Sequence, residues 1–253
     1  MDDIQALIFD VFGTIVDWET SVVAELKAAG ERHGSASDTD WKAFAREWRE
    51  GYYATTKRIA HGGAGPSSVD AVHRELLDAM LDTPESKWSA VRPFWDEATR
   101  QDLTLSWHRL HAWPDSIPGL QSLKQHVIVA ALSNGNVRLL VDMAKFANIP
   151  WDVIFSAELF NTFKPNVDVY LSTCKHLSLP PSSCAMVAAH AWDLEGAAKA
   201  GLKTIYIPRP TEDQGISKDI KAKKDGGRFD LVLSSVEELA TLFAESKVGR
   251  AQN

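Results

Sequence analysis

Ala6-Leu7-Ile8-Phe9-Asp10-Val11-Phe12-Gly13-Thr14 is the stretch from which the rest of the chain can be read. A short apolar run meets an acid, and a Gly-Thr pair follows. Such a run suits a strand buried on both faces, and the Gly-Thr pair breaks it into a loop. Other runs share the form. Val127 to Leu132 ends at Ser133-Asn134-Gly135, Cys184 to Ala189 ends at His190, and Thr204 to Ile207 ends at Pro208. Leu231-Val232-Leu233 is a weaker one. Helical spacing fills the gaps: Val137 to Ala147, Val167 to Leu177, Leu194 to Ala200 before Gly201, and Val236 to Leu242. Strands alternating with helices predict an α/β fold with a doubly wound, Rossmann-like parallel sheet. Ligands bind such sheets beyond the carboxyl ends of the strands, so the polar residues there are the candidates for chemistry.

The stretch from Trp18 to Arg100 has another character. It is rich in Glu, Arg, Ala, Leu and Trp, with no convincing strand. Ser21 to Ala29, Trp41 to Ile59, Ser68 to Leu81 and Pro93 to Thr99 read as helices, and His61-Gly62-Gly63-Ala64-Gly65-Pro66 as a loop. The expected division is an α/β core of residues 1–16 and 100–253 with an inserted all-helical cap of residues 17–99.

Composition narrows the function. The chain has 253 residues, 45% hydrophobic, with a formal net charge of -7. That charge argues against a nucleic-acid partner and requires local cations to draw in any anionic substrate. No apolar run is long enough to span a bilayer, and Asp2 and Asp3 do not make a signal-peptide start, so a cytoplasmic protein without a membrane partner is expected. Cys174 and Cys184 are expected as packed core thiols. The basic stretch Lys218 to Arg228 is expected as a solvated loop. His33, His61, His73, His108, His111, His126 and His176 show no metal-ligand spacing and are expected as structural or surface groups, His108 with no carboxylate partner evident. No metal and no cofactor are expected.

Four strand-end clusters converge on one edge: Asp10 with Thr14, Ser133 with Asn134, Lys164, and Asp193. They offer a nucleophile, hydroxyl and amide donors, a cation and a second carboxylate, a set suited to covalent carboxylate catalysis. In order and content, Asp10-Val11-Phe12-Gly13-Thr14-Ile15, Leu132-Ser133-Asn134-Gly135, Lys164-Pro165 and the Val187 to Asp193 stretch resemble the four motifs of the haloacid dehalogenase superfamily. The resemblance covers essentially the whole chain, cap included. The superfamily's phosphatases carry an acid two residues after the nucleophile; here Phe12 stands there and cannot transfer a proton. Their fourth motif is also richer in acids than Ala188-Ala189-His190-Ala191-Trp192-Asp193, which makes a bound magnesium doubtful.

Trp48-Arg49 with Tyr52-Tyr53 resembles the cap element of the type II (S)-2-haloacid dehalogenases. The resemblance implies that Asp10 displaces halide from C2 of a short 2-haloalkanoate. An ester forms, halide leaves toward Arg49, and water hydrolyses the ester to a 2-hydroxy acid of inverted configuration. Ser133 and Asn134 are then expected to clamp the substrate carboxylate, with Thr14 near Asp10. Phe12, Trp192 and Tyr53 would line the pocket, and Lys164 would keep Asp10 ionised. Asp193 is expected to orient the hydrolytic water. The familiar pattern has Ser-Ser-Asn where this chain has Ala188-Ala189-His190. His190 is therefore expected to act as a neutral general base, with Asp193 or Glu19 as its orienting carboxylate. The partners implied are a 2-haloacid and a halide ion, and a homodimer is compatible with the resemblance. Two alternatives stay open: a small-molecule phosphatase of the same superfamily, and a non-catalytic binding relative.

Overall fold

The computed structural model describes residues 3–34, 38–216 and 220–251. Its core is a six-stranded sheet in the order β5-β4-β1-β6-β7-β8. These strands are β1 (Ala6–Phe9), β4 (Ile128–Ser133), β5 (Val153–Ser156), β6 (Cys184–Ala188), β7 (Lys203–Tyr206) and β8 (Leu231–Val232). Every pairing among them is parallel. β1 lies in the middle, with Phe9 level with Ala131 of β4 and Val187 of β6. The chain builds outward on one side through β4 and β5, then returns to build the other through β6, β7 and β8. The reversal beside β1 is a topological switch point, where open α/β sheets leave a crevice.

Helices α5 (Ser116–Leu123), α6 (Val137–Phe146), α7 (Val167–His176), α8 (Ala191–Lys199) and α9 (Val236–Ala251) complete the core unit. Of these helices, α5 was not expected from the sequence. Cys174 and Cys184 are free and buried, as expected. Of the expected basic loop, residues 217–219 lie outside the described residues. Its later part folds back through a short 3-10 turn, with Lys223 paired to Asp230 and Arg228 to Glu195. Among the described residues no helix is long and apolar enough to cross a membrane.

The inserted unit is helical as expected: α1 (Trp18–His33), α2 (Trp41–Ala60), α3 (Val69–Asp82), a 3-10 segment over Ser89–Phe94 and α4 (Glu97–Leu105). The boundary placed at 99/100 falls inside α4. That helix packs against α3 and α1, so it continues the helical layer past residue 99. The two connections to the core run side by side as a small antiparallel ribbon, β2 (Val16–Asp17) against β3 (His111–Ala112). Tryptophan area holds the layer together: Trp48, Trp95 and Trp107 are fully buried, and Phe44 packs on Trp48, Trp88 and Trp95.

Candidate active site

Asp10 is the first residue past β1, and its amide donates to Val187 O at 3.0 Å, which fixes it at the carboxyl edge of the sheet. The side chain is buried and fully engaged. Lys164 Nζ donates to Oδ1 at 2.8 Å, while Thr14 Oγ1 at 2.7 Å and His190 Nδ1 at 2.9 Å both meet Oδ2. Burial alone would push this carboxyl up, but the Lys164 and His190 charges outweigh it and hold Asp10 well below the usual carboxylate range. The carboxylate is thus ionised and rigidly aimed. Thr14 is fixed in turn by the Ala189 amide, which donates to Oγ1 at 2.9 Å.

Lys164 bridges two acids. Its ammonium also donates to Asp193 Oδ2 at 2.6 Å and Leu132 O at 3.0 Å. Burial opposes the charge on this amine, and the two carboxylates more than restore it. Asp193, in the first turn of α8, spends its other oxygen on the Tyr170 hydroxyl at 2.6 Å. Both oxygens are therefore committed away from the cavities. Asp193 was expected to orient water; here its oxygens meet Lys164 and Tyr170, the latter a contact the sequence did not disclose.

His190 sits just before α8 and lies between two acids. Nε2 contacts Glu212 Oε2 at 2.7 Å and the Tyr53 hydroxyl at 3.0 Å. Burial lowers its proton affinity, but hydrogen bonds to Asp10 and Glu212 prevail and raise its pKa to about 10. A neutral imidazole was expected here; the two flanking acids favour the imidazolium in the free site. Its orienting carboxylate is also corrected. Glu19 is occupied by Lys42 at 2.9 Å and Arg46 at 2.6 Å. Glu212 takes the place, with Oε1 accepting from Trp18 Nε1 at 2.6 Å and Thr211 Oγ1 at 2.8 Å. Burial works against the Glu212 charge, yet His190 and Arg49 hold its pKa down to about 2. Glu212 lies in an irregular loop after β7, where no sequence pattern singles out one acid from another.

The second-motif residues divide. Ser133 Oγ accepts the Gly135 amide at 3.1 Å, leaving its O–H to donate into the cavity it lines. Asn134, expected as part of the carboxylate clamp, also lines the inner cavity. Its Oδ1 accepts from Lys164 N at 2.7 Å, and its amide nitrogen donates to Lys164 O at 3.4 Å. Asn134 thereby braces the loop that delivers Lys164.

Arg49, Tyr52 and Tyr53 come from one face of α2, three and four residues apart, as helical geometry requires. The Arg49 guanidinium is buried among rings, with Cζ 4.4 Å from the Tyr53 centroid, 4.7 Å from Tyr52, 5.2 Å from Phe12 and 5.5 Å from Trp18. Nη2 donates to the Tyr53 hydroxyl at 2.9 Å. Nε and Nη1 are buried without a hydrogen-bond partner among the described residues. Burial penalises this cation, while the neighbouring phenols, Glu212 and Asp10 sustain it. Lys164 and His190 are matched to carboxylates, whereas Arg49 keeps donors unspent beside the nucleophile.

Two cavities meet these residues. The inner one holds about 10 Å³, room for roughly one water-sized particle, between Asp10, Phe12, Arg49, Ser133, Lys164 and Trp192. A vestibule of about 580 Å³ shares Arg49, Tyr53, Lys164, His190 and Trp192 with it and adds Glu212. The expected apolar walls, Phe12 and Trp192, are in place. Among the described residues no group of three or more His, Cys, Asp or Glu side chains is arranged to hold a metal ion.

Comparison with known proteins agrees with this architecture. A family model described as haloacid dehalogenase-like hydrolase matches residues 4–201. The (S)-2-haloacid dehalogenase 1 of Pseudomonas sp. (strain CBS-3) is 30% identical over 222 residues, covering 86% of this chain and 90% of that protein. The (S)-2-haloacid dehalogenase 4A of Burkholderia cepacia is 29% identical over 217 residues, 83% of this chain and 85% of its own. The crystal structure of a defluorinating L-2-haloacid dehalogenase superposes with a TM-score of 0.84 at 35% identity, covering 95% of each chain.

Proposed function

The chain belongs to the haloacid dehalogenase-like hydrolases, and from that premise we propose that it is a 2-haloacid dehalogenase acting on short (S)-2-haloalkanoates through an ester on Asp10. The observation that carries this reading is Arg49. A buried guanidinium ringed by aromatic faces, with Nε and Nη1 unspent, is a receptor for a weakly hydrated anion. It lines the same inner cavity as an ionised carboxylate. A nucleophile and an anion acceptor lining one small chamber are what displacement of halide needs.

Asp10 attacks C2, the carbon–halogen bond breaks, and the halide departs toward Arg49. Oδ1 carries one donor and Oδ2 two, so Oδ1 is the freer nucleophile. Oδ2 becomes the ester carbonyl, already facing the Thr14 hydroxyl. The Ser133 hydroxyl holds the substrate carboxylate. Esterification removes the Asp10 charge that helped keep His190 protonated, so the imidazolium releases its proton through the vestibule. Neutral His190, held by Glu212, then takes a proton from water as the water adds to the Asp10 carbonyl carbon. It returns that proton to the departing 2-oxygen, and the 2-hydroxy acid leaves. Asp10, now a carboxylic acid, gives its proton back to His190 and the ion pair is restored. One proton and one halide are released per turnover, as hydrolysis of a carbon–halogen bond demands.

The phosphatase alternative is disfavoured by two side chains. Phe12 occupies the position of the phosphatase acid and packs 5.2 Å from the Arg49 guanidinium. Between Asp10 and Asp193 stands the Lys164 ammonium, 2.8 and 2.6 Å from them. The deciding experiment is halide release from the separate enantiomers of 2-chloropropionate, beside Asp10→Asn and a generic phosphate ester with Mg²⁺. Release from the (S) enantiomer that persists in EDTA and vanishes in Asp10→Asn is expected. Mg²⁺-dependent phosphate release without halide would overturn the assignment.

A further inference from the structure

The inner chamber belongs to two bodies. Asp10, Phe12, Ser133 and Lys164 come from the core, and Arg49, Tyr52 and Tyr53 from α2 of the cap. Its geometry therefore depends on how the cap is registered on the core. The β2–β3 ribbon joins the units covalently but pairs only two residues from each strand. The rest of the cap's register must come from side chains.

One half-buried cluster, three residues before β3, spans the two units. His108 ends the 3-10 turn after α4. Its Nε2 lies 3.0 Å from Asp70 Oδ1, in the first turn of cap helix α3. Its Nδ1 lies 3.0 Å from Asp142 Oδ2, on core helix α6. Asp70 is tied a second time: Asn136 Nδ2 donates to Asp70 Oδ2 at 3.0 Å, and the Asp70 amide donates to Asn136 Oδ1 at 3.3 Å. Asn136 lies in the loop that carries Ser133 and Asn134. One imidazole thus joins a cap carboxylate to a core carboxylate, and the cap carboxylate is also strapped to an active-site loop.

We propose that His108 is a positioning residue that latches the helical cap onto the core, holding α3, and through it α2 with Arg49, in register with Asp10. The inference uses the dehalogenase assignment only for its kinetic consequence; the latch itself rests on the cluster. An imidazolium donates at both nitrogens and serves both acids. A neutral ring donates at one, leaving a bare nitrogen against a carboxylate oxygen at the other. The latch is therefore closed when His108 is protonated and weakened when it is not.

The surroundings favour the closed form. Burial pulls the His108 imidazole down, but Asp70 and Asp142 outweigh it and lift it above its ordinary value. The other charges nearby are accounted for. Arg138 of α6 pairs with Asp142 at 2.8 Å. Arg109 takes Glu25 of α1 at 3.2 Å and Asp102 of α4 at 3.1 Å. His73 of α3 is buried and held well below its ordinary value by burial, then by Arg49 and His108, so it stays neutral. The sign follows: a proton affinity raised by the docked cap favours docking at low and neutral pH, and that contribution fades as pH rises through the raised value.

The test uses the full chain with donor and acceptor dyes on Glu85→Cys in the cap side and Lys199→Cys on α8; Cys174 and Cys184 are buried. Energy transfer is followed against pH beside the His108 imidazole resonance. Both are expected to change together, with transfer falling as His108 deprotonates. Asp142→Asn, which keeps the fold's shape, is expected to move both midpoints to lower pH. His108→Gln is expected to lose the pH response and to lower kcat/KM for (S)-2-chloropropionate about tenfold, since small misplacement of a positioning group costs this much or more. Energy transfer indifferent to pH in the unsubstituted chain, or an Asp142→Asn midpoint that does not move, would overturn the latch. A normal optical response without any halide release would uphold the latch and count against the dehalogenase assignment alone.

Discussion

His190 is the residue whose setting most changes its chemistry. It is wedged between Asp10 and Glu212, which favour its cation, and in the proposed mechanism it becomes a base only once Asp10 is esterified. Replacing it with asparagine keeps a hydrogen-bonding group and removes proton transfer. His190→Asn is expected to release one equivalent of halide and then stall, with the ester accumulating and kcat falling about 10²- to 10⁴-fold, the usual range for a lost general base. Mass spectrometry of the quenched protein checks this; an unmodified Asp10 at steady state would remove His190 from the hydrolytic step. Glu212→Gln should move the acidic limb of kcat to lower pH, because the neutral amide no longer favours the imidazolium. In the proposed mechanism Arg49 serves the other half-reaction. Arg49→Lys keeps a charge but loses the planar donors and the stacking on Phe12 and Tyr53. The first-turnover halide burst is expected to slow by about a hundredfold, consistent with loss of several kcal/mol of transition-state stabilisation, which rapid-mixing detection of halide will measure.

At the scale of elements, the loop after β7 reaches the site because the loop after β1 makes room. Gly13 has φ of +80°, and a Cβ there would stand 2.6 Å from Glu212 Cδ. Arg209 holds the same β7 loop, donating to Thr14 O at 3.0 Å and pairing with Asp115 at 2.7 Å. Gly13→Ala therefore strains the backbone and pushes Glu212 off His190. Its expected cost is about 1–3 kcal/mol of stability, with slower ester hydrolysis at a near-normal halide burst; calorimetry and the burst assay separate the two. A variant with wild-type melting and turnover would show that Glu212 yields without consequence. The same elements show what the sequence discloses. β1, β4 and β6 were legible because each is an apolar run ending in a polar residue, and those ends put Asp10, Ser133 and His190 on one edge. β2 and β3 are two residues each, too short for any periodicity. Helix α5 carries Pro118 and Gly119 among its eight residues, which hides its pattern. Glu212, Tyr170 and the acids around His108 escaped for one reason: each meets its partner across at least 22 positions, through loop paths and helix faces that local pattern does not encode.

For the whole molecule, buried charge is matched locally while the surface stays acidic. Lys164, His190 and Arg49 face Asp10, Asp193 and Glu212 within one crevice of a chain whose net charge is -7. An anionic substrate thus meets a neutral set, with only Arg49 holding donors in reserve. Matching of this kind makes stability a function of pH, with opposite signs on the two sides. The folded value of His190 near 10 lies above its ordinary 6.5, so its contribution is complete below about 6.5 and is lost as pH rises through 10. Glu212 lies near 2 against an ordinary 4.5, so its contribution is complete above 4.5 and is lost as pH falls through 2; Asp10 is shifted the same way. On the alkaline side, losing the imidazolium leaves two buried carboxylates around a neutral ring. That is worth on the order of a few kcal/mol, and in a chain of this size about 5–10 °C of melting temperature between pH 7 and pH 10. His108 adds a change of the same sign at the cap. His190→Gln should flatten most of that alkaline slope while keeping an acid limb, because Lys164 still faces Asp10 at 2.8 Å. Melting curves across pH 4 to 10 for both proteins decide it. A level melting temperature from pH 7 to 10 in the unsubstituted chain would mean that His190 is already neutral at pH 7, and would return it to the role of resting base.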